Sequence, residues 1–125
     1  MYALNFYSEV FAEQLRQGRK TATIRLGDKQ DKYRDGQLVW ITVGRRFGTR
    51  KKIFTAIIDR VEVKKLGEVT PKEIERENPE FRRHEELIKF LSSIYGRPVT
   101  LEDTVTVIHF SRVEEGDGGT STGGL

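Results

Sequence analysis

The sequence predicts a single α+β domain in which a compact barrel of short strands is capped by helices. Three observations predict it. A chain of 125 residues is long enough for one modest core and too short for a second independent one. Its apolar periodicity marks many short strands but few helices, one early and two late. Helical connections between every strand are missing, which disfavours a doubly wound parallel sheet.

Residues 2–6 alternate as a short strand, and Ser8 is placed to cap a helix carrying Val10, Phe11 and Leu15 on one side. Gly18 is the expected stop of that helix. Residues 21–26 read as a second strand, with Ala22, Ile24 and Leu26 on one face and Thr21, Thr23 and Arg25 on the other. On that pattern the Thr23 hydroxyl faces away from the main hydrophobic layer. Asp35-Gly36 is a turn signal before an apolar strand over residues 38–43 that holds the only tryptophan, Trp40.

Residues 44–52 read as a basic loop with glycines at its bends, and residues 53–64 as a long strand. Thr70-Pro71-Lys72-Glu73 is a helix start with threonine at the N-cap, proline at N1 and glutamate at N3. That helix should end near Asn78-Pro79, which also reads as the cap and first residue of the next one. Phe81, Leu87, Ile88, Leu91 and Ile94 supply the apolar side of this last helix and Gly96 its stop. A β-branched strand over residues 104–110 closes the domain, expected to span 1–113, and residues 114–125 read as a flexible Gly/Ser/Thr-rich tail.

Composition narrows the function classes. The chain has no cysteine, which excludes disulfides and thiolate metal sites. Its two histidines, His84 and His109, lack HxH or HExxH spacing, and no carboxylate cluster is visible, so neither a metal site nor a cofactor is expected. No apolar run is long enough to cross a bilayer and no secretory signal opens the chain, so the expected location is cytoplasmic with no membrane partner. The net charge of +3 conceals an asymmetry: residues 14–65 hold 15 Lys/Arg against 5 Asp/Glu, a local excess of +10. Such a stretch attracts phosphate-bearing partners such as RNA, although charge runs are also common as merely solvated faces.

Lys20 stands between the helix stop and the strand, among Arg16, Arg19 and Arg25. Neighbouring cations push a lysine towards its neutral, basic form, although an exposed lysine in a basic turn is the commoner case. Thr23 suits a nucleophile if a base lies within reach, and otherwise serves β propensity alone. The two converge only if Lys20 lies in the turn before the strand, since positions 20 and 23 of a regular strand face opposite ways. Glu77 falls at a helix C-terminus, where the macrodipole disfavours a carboxylate, so a tertiary cation such as lysine is its expected partner. It also belongs to a generally acidic stretch. In the basic loop, Arg45, Arg46, Arg50, Lys51 and Lys52 surround Phe47, which suits phosphate contacts around one stacking surface or a solvated hairpin tip.

Together, Gly18-Arg19-Lys20-Thr21-Ala22-Thr23-Ile24-Arg25, Asp35-Gly36 and Val107-Ile108-His109-Phe110 resemble the ASCH domain family, whose fold is a PUA-like mixed β-barrel with flanking helices. Within it the chain is most similar to the small N4-acetylcytidine amidohydrolases, in which a GRKT-x-T-IR segment precedes an acidic helix with an E-N pair, here Glu77-Asn78. The resemblance implies a metal-independent amidohydrolase acting on the N4-acyl amide of acetylated cytidine, with Arg19 and Arg25 contacting the substrate. It implies Thr23 as nucleophile, Lys20 as its activator and Glu77 as the residue orienting Lys20. The 44–52 loop is larger and more basic than in that group, and the helix over residues 81–95 longer, so a polynucleotide competes with a free nucleoside as the partner. A non-catalytic RNA or single-stranded nucleic-acid binding module is the alternative. The oligomeric state is not indicated.

Overall fold

A computed structural model of the chain describes residues 2–45 and 47–114. Arg46 and residues 115–125, which make up nearly all of the expected tail, lie outside the described residues. The strands are β1 (Ala3–Phe6), β2 (Ala22–Leu26), β3 (Leu38–Gly44), β4 (Arg50–Lys65) and β5 (Thr104–Arg112). They form one mixed sheet in the order β1-β3-β4-β5-β2, with β1 parallel to β3 and every other pairing antiparallel. The sheet curls into a half-barrel whose two edge strands, β1 and β2, face each other unpaired. It is an α+β fold, open on one side.

Helix α1 (Glu9–Arg16) starts where the Ser8 hydroxyl accepts from the Val10 amide at 3.2 Å. Its buried face is Phe11, Ala12 and Leu15, while Val10, expected inside, is 65% exposed. The chain then reverses at Gly18, whose φ of +72° is the left-handed conformation that closes a helix.

Two expectations need correction. Arg50, Lys51 and Lys52 are not loop residues but the first turn-side residues of β4, paired with Gly44, Val43 and Thr42 of β3. The ladder runs on because a bulge at Ile41/Thr42 absorbs the register and because Gly44 lacks a Cβ that would collide with the Thr49 carbonyl. The last helix, α3 (His84–Tyr95), starts five residues later than Pro79. Asn78 is instead the C-cap of α2 (Pro71–Glu77), and its Oδ1 accepts from the Glu80 amide at 2.9 Å, making a side-chain-closed turn. That turn presents Phe81 edge-on to Phe90, ring centroids 5.5 Å apart.

The capping box of α2 forms as its residues require. Thr70 Oγ1 accepts from the Glu73 amide at 3.2 Å and Glu73 Oε1 from the Thr70 amide at 2.9 Å. Helices α2 and α3 lay Ile74, Leu87 and Leu91 against Ile24, Val105 and Val107 of β2 and β5. Each such side chain contributes about 1.5–3 kcal/mol of burial. A second core joins α1 to β1, β3 and β4 through Leu4, Phe11, Leu15 and Ile41, and Phe90 packs against both.

Candidate functional site

An edge strand exposes backbone donors and acceptors that need partners. On β2 the Ala22 carbonyl and the Ile24 and Leu26 amides face away from β5, and side chains take the place of the missing strand. Lys20 Nζ donates to Ala22 O at 2.9 Å, Glu77 Oε2 accepts from Ile24 N at 2.7 Å, and the Tyr95 hydroxyl accepts from Leu26 N at 3.2 Å.

Lys20 lies in the turn before the strand, held by Arg19 N and Lys20 N donating to the Gln14 carbonyl at 2.9 and 3.2 Å. From there its ammonium reaches Glu77 Oε1 at 2.6 Å and the Glu77 carbonyl at 2.5 Å. All three of its protons are thus used. Lysine and glutamate side chains are 0% and 3% exposed, so this is a dry ion pair. Burial pushes the Lys20 ammonium below its usual range, against the pull of Glu77, and the nearby Arg25 adds to the lowering. The rings of Phe6 and Phe11, each centred 5.0 Å from Nζ, close over the cation.

Between the unpaired edges β1 and β2 opens a cleft of about 500 Å3. Thr23, Arg25 and Glu77 line it together with the aromatic side chains of Phe6, Phe90 and Tyr95. The Thr23 hydroxyl is therefore not on an open polar face: it is 3% exposed and accepts from Arg25 Nε at 3.0 Å. The face that period-two alternation marks as solvated is turned inward by the curl of the sheet, where Thr23 pairs with Ile108 of the core beneath α1. Arg25 is itself held, donating to the Asn5 carbonyl at 3.1 Å and stacking 5.2 Å from the Phe6 ring. Arg45 reaches the same cleft from the far side. The cleft can accept a planar, partly apolar group and present the Thr23 hydroxyl and the guanidinium groups of Arg25 and Arg45 to its polar edge.

The structure thus brings Lys20 and Glu77 into contact and sets Thr23 beside them, yet no hydrogen bond joins Thr23 to Lys20. Arg19 is separate, exposed and bonded to Gln17 Oε1 at 3.2 Å. Phe47 is 94% exposed at the β3–β4 tip, Arg50 and Lys51 are exposed at the start of β4, and Lys52 stacks 5.3 Å from the Trp40 ring. Only Arg45 of that basic group lines the cleft among the described residues. The aromatic wall, Phe6, Phe90 and Tyr95, escaped sequence reasoning because each residue is also explicable as core or as the end of a helix.

A second cluster was invisible in the sequence. Glu62, Glu73 and His109, from β4, α2 and β5, bring three ligand-type atoms within 4.8 Å of one another. By geometry they could hold a metal ion, but Lys64 Nζ already supplies a cation at 3.1 and 3.2 Å from the two Glu73 oxygens. Burial opposes the charge on Glu73, yet the Thr70 amide and Lys64 hold its pKa down at about 2. Burial and the neighbouring Arg60 push the His109 imidazole below its usual value, against Glu73 and Glu62.

No family model and no curated protein matches the sequence. Solved structures do match. Protein EF3133 from Enterococcus faecalis V583, described under the family model DUF984, superposes with a TM-score of 0.67 at 17% identity, over 90% of this chain and 80% of its own. The ASCH domain from Lactobacillus crispatus JV V101 gives 0.62 at 18% identity, over 86% of this chain and 77% of that one. Hypothetical protein PH0355 gives 0.65 at 19% identity, over 90% of this chain and 98% of that one. With the half-barrel, its open edge and its three helices already in place, these likenesses show that the chain has the PUA-like ASCH fold.

Proposed function

We propose that the chain is a metal-independent amidohydrolase that removes the N4-acyl group of an acylated cytosine held in the cleft between β1 and β2. The observation that carries it is the dry Lys20–Glu77 pair, joined at 2.6 Å, whose Glu77 lines the cleft together with Thr23. A buried lysine displaced towards its neutral form is a base matched to a weakly acidic hydroxyl. The aromatic wall suits a nucleobase, and Arg25, bonded to the Thr23 hydroxyl, would supply the donor that the oxygen of an attacked acyl carbonyl needs.

In this mechanism Thr23 Oγ1 attacks the acyl carbon while Lys20 takes its proton and Glu77 holds Lys20. The resting bonds require one exchange: Lys20 Nζ sheds to solvent the proton it donates to the Ala22 carbonyl, and the lone pair of the neutral amine turns to the Thr23 hydroxyl as Arg25 releases it to face the carbonyl. Protonation of the leaving exocyclic nitrogen by Lys20 frees cytosine, and water then cleaves the threonyl ester. Incubating the full chain with N4-acetylcytidine and following cytidine release tests this directly. Release above background that disappears in Lys20→Met and Thr23→Val, with both variants folded by circular dichroism, supports it; equal release in the variants sinks it.

One observation favours a second function, binding of RNA without chemistry. Arg45 joins the basic β3–β4 tip to the cleft, and the surrounding residues 14–65 carry the excess of +10. It predicts salt-sensitive affinity that weakens as Arg45, Lys51 and Lys52 are replaced. Affinity indifferent to salt and to those changes would count against it.

A further inference from the structure

Arg76 and Glu77 are neighbours on α2 but serve opposite sides of the molecule. Glu77 lines the aromatic cleft, whereas Arg76 lines a separate groove of about 480 Å3 that shares none of its lining with that cleft. Into this groove come Arg16 from α1, Arg76 from α2 and Arg112 from the end of β5. Three secondary-structure elements therefore contribute one guanidinium each. Thr21 and His109 complete the polar part of the wall, and Lys20 passes along it with its charge spent on Glu77.

The charges in the groove do not balance. Asp59 is its one carboxylate among the described residues, and Asp59 Oδ2 accepts from Ser111 Oγ at 2.5 Å. Arg16 has Glu13 at 3.9 Å, with both side chains well exposed, which is a weak tie. Arg112 stacks 5.0 Å from the Phe54 ring and pairs with no carboxylate among the described residues, and neither does Arg76. Guanidinium groups gathered in a concavity without counter-charge repel one another until an anion enters, and their planar forks match phosphate oxygens. The His109 imidazole, lowered in pKa by burial and by Arg60 and raised by Glu73 and Glu62, adds no fourth cation near neutrality.

We infer that the groove bounded by Arg16, Arg76 and Arg112 is a phosphate-binding site, distinct from the aromatic cleft and independent of any chemistry there. The phosphate comes either from the backbone of a nucleic-acid strand or from a free phosphate monoester. An RNA strand fits the basic surroundings of Arg16, and the same groove accepts inorganic phosphate as the minimal probe.

The test uses the full chain, a fluorescein-labelled octauridylate and inorganic phosphate. Arg16→Gln, Arg76→Gln and Arg112→Gln are combined in one variant. A charge-matched variant carries Arg34→Gln, Arg83→Gln and Lys89→Gln, whose side chains are exposed and outside both cavities. All six positions are on the surface, and thermal melts check that both proteins stay folded. The expected result is at least a tenfold loss of oligonucleotide affinity in the groove variant only. Its slope of log affinity against log salt should fall by about two, as befits three lost phosphate contacts on a single strand.

Loss of inorganic-phosphate binding in the groove variant, with octauridylate unaffected, keeps the site and assigns it to a free monoester. Equal behaviour of the groove and charge-matched variants towards both probes overturns the inference. Neither outcome depends on whether the chain releases cytidine from N4-acetylcytidine.

Discussion

Helix α2 carries two buried glutamates one turn apart, Glu73 and Glu77, and each is paired with a lysine, but the two pairs are built differently. Glu73 belongs to a crowd. It closes the capping box with Thr70, holds Lys64, and approaches His109 Nε2 at 3.4 Å, while Lys64 keeps a second carboxylate, Glu62, at 3.5 Å. Glu77 has no such redundancy. It is the one carboxylate bonded to Lys20 among the described residues, and Lys20 has no water to fall back on. Shared charges form a helix start that tolerates loss. An exclusive dry pair is costly to break, and a fold keeps one where the edge of β2 must be closed and a cleft must be lined.

That contrast can be broken in four places. Glu77→Gln should cost the most, about 3–5 kcal/mol in urea unfolding at neutral pH, because it strands the Lys20 ammonium without a counter-charge. The loss should shrink as pH rises towards 10.5, where the neutral amine needs no partner; a loss below about 1 kcal/mol would mean the pair is not exclusive. Glu73→Gln should cost only about 1–2 kcal/mol, since Lys64 retains Glu62. With a folded pKa of about 2 against an ordinary 4.5, the Glu73 contribution is present above pH 4.5 and fades as pH falls towards 2. The Gln variant should therefore lose less stability than the parent over that window.

Thr70→Ala removes the cap and should cost about 1 kcal/mol, read as a drop in Tm. The smallest effect is spectroscopic: an NMR titration of His109 should show a midpoint below 6.5. A midpoint above that value would place Glu73 and Glu62, rather than burial and Arg60, in control of the imidazole.

Much of the fold was legible because its signals are local. Ser8, Thr70 and Gly96 mark helix ends through bonds made within a few residues, and the β-branched run of β5 needs no partner to be recognised. The start of α3 was misplaced because Asn78-Pro79 satisfies the same local rules as a cap, and only the packing of Phe81 on Phe90 selects a turn there. Of the site, the position of Lys20 before β2 and its cation–carboxylate match to Glu77 were readable from Gly18 and from the helix end. The burial of Thr23 was not, because the curl of the half-barrel turns an edge-strand face that alternation alone marks as wet towards Ile108 and the aromatic cleft. Glu62, Glu73 and His109 come from three elements, brought into register past a bulge at Ile58/Arg60 that leaves no trace in a period of two.

The central claim is that Thr23, beside the Lys20–Glu77 pair, performs acyl transfer in the cleft. Cytidine release from N4-acetylcytidine by the full chain, measured alongside Thr23→Val and Thr23→Ser, tests it most directly. The account predicts release by the parent, a loss of at least about a hundredfold in Thr23→Val, and partial retention in Thr23→Ser. No release by the parent, or equal release by Thr23→Val, would contradict it.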